Sequence, residues 1–568
     1  MIENKFIPRI IKYSLLAIVV LAFLLRFWGV WDKDMIGDEA AYSFRSVGYL
    51  DYLGTSSQTQ PVEWYKGAEL PFWTKLSFHD HPPLTFIIQN VFFKIFGDSL
   101  WSARLPSALF GSLSVIFIYL IVSILFSGTG LGLLAAFLFS INNGLIEITR
   151  TALMEPILLF LILVNIYSFL RLVITPIRSD IEGKRLPVGR QGNPGLSWWL
   201  FFGLTLGLAF LTKYTAIFLP PLYFVYLVLF ERKIFEDYRL YLSLFLALLI
   251  FSPVLFYNYF LFQATGHFDL QLSYFLGQAT PEWSGLLGKT QEGFSNIGRN
   301  LLGTFGLIDL VIFLGGFIYS VYYFIKTRNR GILFIFLYLI VLTLFLIKIG
   351  SATRFLILYS PVFIISSALF IRFLWEFDQK RESILLKAVA VILVVSGLFF
   401  SIRENLVRND RNNFGIAGLD NFLVKEIDDI NSAFLPRTDN DHLNSIIEKT
   451  ISNNINTGIQ QAVLIVYNDN IAITTLQWIV YRRFFYHALP FYYVENFIDT
   501  INKNPQELKG VLVYFIQSTQ NTLLNPFKKD KIVGDTFEKN LIQQGSVPVK
   551  IVYGNNNLEM FKIYKFIL

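Results

Sequence analysis

The sequence predicts a polytopic α-helical membrane protein with about eleven transmembrane helices and a C-terminal extracytoplasmic α/β domain. Three observations carry that expectation. The 568 residues are 54% hydrophobic and 17% aromatic but only 16% charged, with a mean hydropathy of +0.51, whereas a water-soluble chain carries about 25% charged residues. Apolar runs of spanning length recur as far as about residue 401, and basic clusters fall in alternate gaps between them. Beyond about residue 402 no run is long enough to span, and Asn, Asp, Lys and Gln become common.

A helix crossing the hydrocarbon core needs roughly 20 mostly apolar residues. The first candidate is Ile10 to Val30, with Lys5, Arg9 and Lys12 around its start. It is long and lacks a small-residue cleavage site, so it reads as an uncleaved signal anchor. Further spans are expected at 104–126, 131–149, 156–174, 198–212, 214–230, 240–257, 301–325, 331–348, 355–374 and 384–401. With the N-terminus in the cytoplasm, the inside loops hold Arg171, Arg178, Lys184, Arg185 and Arg190, then Arg232, Lys233 and Arg239. The later inside loops hold Lys326, Arg328 and Arg330, then Arg372, Lys380, Arg381 and Lys387. This is the bias of the positive-inside rule, and only the very short 127–130 loop lacks it.

Outside lie a long loop, 31–103, and a second, 258–300, rich in Gly, Gln and aromatics. Within the first, Pro82–Gly97 is apolar but short and carries Gln89 and Lys94, so it reads as an amphipathic helix lying in the interface. Gly183–Gly195 reads as a Gly/Pro/Arg loop without chemistry. The expected organisation is a membrane domain over 1–401 and a soluble outer domain over 402–568. In the outer domain Ala462–Tyr467 and Gly510–Phe515 read as strands alternating with helical stretches such as Ile471–Phe484. Val549–Tyr553 and Leu558–Tyr564 read as a hairpin across Gly554–Asn557, with Pro548 just before the first strand, where proline is tolerated.

The net charge of +7 follows from the alternating loops, so it marks topology and not a nucleic-acid groove. There is no cysteine, which excludes disulfides, thiolate metal sites and cysteine nucleophiles. Charged groups are costly at membrane depth, so those placed at span ends on one face become functional candidates. They collect on the outer side: Asp38 and Glu39 after the first span, His79, Asp80 and His81 before a proline pair, Arg104 opening the second span, Arg150 and Glu155, Lys213, and Arg354. A carboxylate can act as general base on a hydroxyl, and lysine and arginine can hold a phosphate as it gains charge. The combination points to transfer of a group from a lipid-linked phosphate donor.

The motifs GDEAAYS (37–43), HDHPPL (79–84), ARLPSALFG (103–111), GLLAAFLFS (132–140), RTALMEP (150–156) and GLAFLTKYT (207–215) occur in this order. Together they resemble the GT-C membrane glycosyltransferases, in particular the group of protein O-mannosyltransferases and lipid A aminoarabinose transferases. The resemblance covers roughly the first 230 residues and, more weakly, RFLILYSPVF (354–363). It implies a polyprenyl-phosphate sugar donor, an inverting transfer on the outer face of the cytoplasmic membrane, and no cofactor. Carried over by position, Asp38 would be the base with Glu39 its neighbour, although adjacent residues point in different directions. Glu155 matches a position that is usually aspartate, and would reach an acceptor or orient a cation. Lys213 and Arg354 match cations that hold the lipid phosphate. His81 stands where the aminoarabinose transferases have lysine and the mannosyltransferases histidine, a third phosphate contact. Arg104 and Arg150 would support the carboxylates, and His79 would stand beside them.

A metal on His79 and His81 would be short of the usual three or four ligands, so none is expected. Trp28, Trp31, Trp64 and Trp73 read as a membrane aromatic belt. The expected partners are a polyprenyl-phosphate-linked sugar, a lipid, protein or glycan acceptor, and the surrounding membrane lipids, with no nucleic acid. A flippase for a lipid-linked sugar is the rival reading; transporters often carry internal repeats, none is evident here, and transport gives the acidic pair no role. A catalytically inactive scaffold would have no use for the charged set.

Overall fold

The computed structural model describes residues 3–31, 34–35, 37–48, 71–174, 195–278, 294–350, 352–377, 384–407, 413–427, 430–432, 459–461, 463–471, 489–503, 508–522, 532–554 and 557–568, with single positions at 476–483 and 506. Trp64, Arg178, Lys184, Arg185, Arg190, Lys380, Arg381 and most of the Ile471–Phe484 stretch lie outside the described residues.

The helices in chain order are α1 (Glu3–Phe27), α2 (Asp38–Gly48), α3 (Leu84–Phe96), α4 (Leu100–Phe126), α5 (Thr129–Ile141), α6 (Asn143–Thr149), α7 (Glu155–Val173), α8 (Leu196–Thr212), α9 (Leu219–Phe230), α10 (Tyr238–Thr265), α11 (Leu270–Leu276), α12 (Phe294–Thr327), α13 (Arg330–Ile349), α14 (Ser360–Phe377) and α15 (Ile384–Ile402). After them come α16 (Ile416–Ile427), β1 (Ile430–Ser432), β2 (Ile459–Gln461), β3 (Val463–Tyr467), β4 (Phe491–Tyr493), α17 (Val494–Lys503), β5 (Leu512–Ser518), α18 (Ile532–Gln543), β6 (Lys550–Tyr553) and β7 (Glu559–Ile567). Each expected span coincides with helix. Among the described residues eight helices are long and apolar enough to cross a membrane, or nine when α5 and α6 are taken as one bent span. Leu196–Thr212 and Tyr214–Phe230 are apolar but shorter. The chain is a multi-pass membrane protein.

By its contacts the chain divides into two compact units, one of residues 1–28, 56–88 and 104–407 and the other of residues 29–55, 89–103 and 408–568. In the first unit the helices are broken at several points, and each break needs partners for its freed backbone groups, because lipid offers none. Between α5 and α6 the axis turns by 61°. Arg26, fully buried in α1, donates to the carbonyls of Ser140 (3.0 Å) and Phe139 (3.2 Å) at the end of α5. Asn142 caps α6 by accepting from the Leu145 amide at 3.0 Å, and its own amide donates to Asp309 at 2.7 Å. The α12 helix kinks at Gly306, whose φ of 81° a side chain would disfavour.

Unbroken stretches pack through small residues. Gly203 and Gly207 of α8 lie one turn apart, and a Cβ added at Gly203 would stand 2.2 Å from the Ser243 carbonyl oxygen of α10. Close backbone approach of this kind is the small-xxx-small mode of membrane helices. Trp73 is buried against Tyr257 and Phe260 of α10, with ring centroids 5.8 Å away in both cases. It is therefore a core residue and not part of a belt, whereas Trp28 and Trp31 are exposed.

In the second unit the sheet runs in the order β4-β3-β5-β7-β6, with β3 parallel to β4 and β5, and β7 antiparallel to β5 and β6. Alternate residues divide between two faces. Val463, Ile465, Leu512, Tyr514 and Ile516 join α16 in one core, while Leu464, Val466, Val513 and Phe515 join α17 and α18 in another. Both faces being covered explains why these strands read as continuous apolar runs. The expected hairpin is β6–β7. The same unit includes α2 and most of α3: Gln89 donates to Ser43 Oγ at 3.0 Å and to the Ala103 carbonyl at 2.8 Å. Opposite Gln89 on α3, Ile87, Val91 and Ile95 form an exposed apolar stripe. Asp34 accepts from the Phe414 and Ala417 amides, capping the start of α16 from far away in sequence.

Gly203→Leu should drive α8 and α10 apart. A loss of about 1–3 kcal/mol or more is expected for such overpacking, read as a lower unfolding temperature in detergent. Gly303→Leu, whose added Cβ meets open space, is the control. Equal melting of both variants would refute the close α8–α10 contact.

Candidate active site

The charged cluster of the first unit is built on helix ends. α8 stops at Lys213, whose backbone is extended (φ −164°, ψ 140°) before a 3-10 turn over Tyr214–Phe218. Glu155 is the first residue of α7 and is followed by Pro156, which needs no amide partner there. Arg354 lies on a 3-10 stretch, Thr353–Tyr359, that leads into α14. These three segments converge. Lys213 Nζ donates to Glu155 Oε1 at 2.6 Å, and Arg354 Nε stands 3.5 Å from the same oxygen. Phe355 lies beneath both cations, with its ring centroid 4.7 Å from Lys213 Nζ and 5.2 Å from Arg354 Cζ.

Glu155 has 1% side-chain exposure and Lys213 6%, while Arg354 keeps 26%. One carboxylate therefore sits between two cations in a largely dry place, with Arg354 toward the open side. Glu155 Oε2 is buried and has no hydrogen-bond partner among the described residues. Such a group attracts an anion and strengthens its hold as charge on that anion grows.

His79 and His81 are both buried. The His79 carbonyl accepts from the Leu270 amide at 2.8 Å, and its ring lies 5.8 Å from that of His267. The His81 carbonyl accepts from the Phe78 amide at 3.2 Å, and His81 Nε2 is 3.9 Å from Asp80 Oδ2. Among the described residues no group of three or more His, Asp or Glu is arranged to hold a metal ion. Arg150 is buried and donates to the Asn405 backbone carbonyl at 3.0 Å and to its side chain at 3.4 Å. Its partner is thus an amide and not one of the expected carboxylates. Arg104 is buried near the start of α4. Asp38 and Glu39 open α2 in the other unit, where first-turn carboxylates suit the positive end of the helix dipole. Asp38 is exposed and Glu39 buried, the divergence expected of neighbouring residues on a helix.

One buried network was not anticipated from the sequence. Asp269 caps α11 by accepting from the Leu272 amide at 2.9 Å. Its other oxygen accepts from Asn258 Nδ2 at 2.8 Å and from the Tyr214 hydroxyl, while the Asp269 amide donates to Asn258 Oδ1 at 2.8 Å. Tyr214 is the neighbour of Lys213, and Leu270 is bound to His79. The network therefore pins the helix break that presents Lys213 and the loop that carries the histidines. The available signal was an aspartate three residues before Leu272, the spacing of an N-cap.

Burial pushes the Asp269 carboxyl up to about 6, against the lowering effect of its hydrogen bonds from Tyr214, Leu272 and Asn258. Because the folded value lies above the unfolded one, this group's stabilising contribution is full near pH 4 and is lost as pH rises past about 6. Asp269→Asn removes that titration. The stability difference between wild type and variant should shrink from pH 4 to pH 6 and then level off, measured by thermal unfolding in detergent across pH 4–7. A pH-independent difference would refute the titration.

The family model for dolichyl-phosphate-mannose-protein mannosyltransferases matches residues 73–272. A putative mannosyltransferase, YycA of Bacillus subtilis (strain 168), is 31% identical over 151 residues, 26% of this chain and 19% of that protein. Protein O-mannosyl-transferase 1 of Mus musculus is 27% identical over 206 residues, 34% of this chain and 24% of that protein. The matches thus span about a fifth to a quarter of these relatives' length. By structure, ArnT from Cupriavidus metallidurans in the apo state is similar over 98% of both chains, with a TM-score of 0.54 and 13% identity. The archaeal oligosaccharyltransferase AglB from Archaeoglobus fulgidus is similar over 90% of this chain and 70% of that one, with a TM-score of 0.51 and 13% identity. Residues 73–272 thus resemble the dolichyl-phosphate-mannose-protein mannosyltransferases, and the chain as a whole shares the fold of ArnT and AglB.

Proposed function

We propose that the protein is an inverting membrane glycosyltransferase that moves a sugar from a polyprenyl-phosphate donor to an acceptor outside the cytoplasm. The single observation that carries this reading is the convergence of Lys213 and Arg354 on one oxygen of Glu155. The two cations gather on one carboxylate, with Arg354 partly exposed, and in this reading they are the groups that take the lipid phosphate while Glu155 sets their spacing. The matched mannosyltransferase family and the structurally similar ArnT, which is also known bound to undecaprenyl phosphate, support a donor of this class. As the glycosidic bond breaks, negative charge grows on the departing phosphate and its attraction to Lys213 and Arg354 rises, so they stabilise the transition state more than the ground state. His81 is a further phosphate contact in this reading. Asp38, exposed at the head of α2, is the base that takes the acceptor's proton, with Glu39 beside it. The acceptor is a glycolipid, a protein or an envelope glycan, and no cofactor takes part.

The test uses purified protein, a polyprenyl-phosphate sugar and a mixed acceptor extract, with release of free polyprenyl phosphate as the readout. Lys213→Gln and Arg354→Gln should each lose about 2–4 kcal/mol of transition-state stabilisation, and the double variant should lose less than the sum. Asp38→Asn should slow turnover by roughly 10² to 10⁴ with donor binding largely kept. Intact donor in every reaction, together with donor movement across sealed vesicles, would decide for a flippase.

The same reading requires the N-terminus in the cytoplasm and the C-terminal domain outside, in the cytoplasmic membrane of the cell. In this cysteine-free chain, cysteines introduced at positions 60, 280 and 500 should react with an impermeant thiol reagent in intact cells, and one at 190 should not. The reverse pattern would overturn the orientation.

A further inference from the structure

Apart from the cation cluster, the first unit holds a second polar site inside its apolar interior. A cavity of about 500 Å³ lies where α5 gives way to α6, where α12 kinks at Gly306, and where α14 and α15 pass. Its polar lining is Asn142, Asn143, Asp309, Ser367, Ser396 and Glu404. Its apolar wall includes Phe305 and Phe363, which stack at 4.7 Å, and Phe400. Leu307, Ile308 and Phe400 in its lining are exposed apolar side chains on helices of spanning length, the placement expected of an opening toward lipid.

Asp309 lies near the middle of the apolar stretch Asn296–Thr327. A carboxylate at such depth is costly and calls for a function. Among the described residues its hydrogen bond is the one from Asn142 to Oδ2, which leaves Oδ1 able to accept. Satisfying the Asn142 amide would need only a neutral acceptor, so the helix break does not by itself account for the charge. No Lys, Arg or His lines the cavity among the described residues. The site therefore favours hydrogen-bond donors and repels phosphate, the opposite of the Lys213–Arg354 cluster.

We propose that this cavity is a lateral binding site for a membrane amphiphile with an uncharged, hydroxyl-bearing head such as a sugar or polyol. Asp309 accepts from the head's hydroxyls, the amides of Asn142 and Asn143 border it, and the aromatic wall receives the ring or the first chain carbons. The inference is independent of the transfer reaction, and its test reads binding alone.

The protein is held in a polyoxyethylene detergent, which has no sugar head, and titrated with monoglucosyl diacylglycerol or phosphatidylglycerol under native mass spectrometry. Both lipids offer hydroxyls, and only the second carries a phosphate. Wild type should bind the glucolipid at least about tenfold more tightly, the scale of a hydrogen bond to a charged group. Asp309→Asn keeps an acceptor oxygen for Asn142 but removes the charge. It should weaken glucolipid binding and strengthen phosphatidylglycerol binding, a change of selectivity that loss of packing would not produce. Gly397→Leu, which fills the cavity from α15, should weaken both lipids, with thermal unfolding confirming that each variant is folded. Equal affinity of wild type for the two lipids, or selectivity unmoved by Asp309→Asn, would overturn the proposal.

Discussion

Backbone groups have no water to turn to inside a bilayer, and this constraint governs where the chain may leave the helix. The break between α5 and α6 in the first unit shows how this is met. Arg26 takes the carbonyls at the end of α5, Asn142 caps α6, and Asp309 takes the amide of Asn142. Lys213 stands at the break after α8, next to Tyr214 bound by Asp269. The breaks also present the chemistry, since a side chain at a helix end can turn toward its neighbours while one in mid-helix is committed to a face.

The cluster itself is an electrostatic compromise. Two cations alone in a dry site would repel each other and be costly to bury, and a neutral pair would have no pull on an anion. One carboxylate shared by Lys213 and Arg354 offsets their repulsion and holds them together. Phe355 beneath both adds a ring face that a cation favours without supplying a competing anion. The cavity around Asp309 reverses this logic, with acidic and amide groups and no cation lining it among the described residues. The first unit thus offers two polar environments of different make-up, one lined by cations around a carboxylate and one by carboxyl and amide groups.

The second unit solves a different problem, because its segments come from separate parts of the chain. Asp34 caps α16, and Gln89 ties α3 to α2 and to the start of α4. The acidic pair Asp38–Glu39 is thereby carried on a helix that packs within the same unit as the C-terminal sheet.

Much of the fold was legible in the sequence. Transfer from water to lipid depends on composition over about 20 residues, so the apolar runs, the first helix and the change of character near residue 402 are local properties. The apolar runs of β3 and β5, and the β6–β7 hairpin, are likewise short-range. HDHPPL and RTALMEP already carried the resemblance to mannosyltransferases that the family model finds over residues 73–272. Tertiary structure alone brought Glu155, Lys213 and Arg354 to one oxygen, because their meeting depends on three helix ends converging and no sequence spacing encodes it. It also moved Trp73 from an expected belt into the core, gave Arg150 an amide partner, and exposed the roles of Arg26, Asp269 and Asp309. Each of these is a polar residue whose meaning depends on which backbone group or cavity it meets, and that is fixed only when distant helices pack.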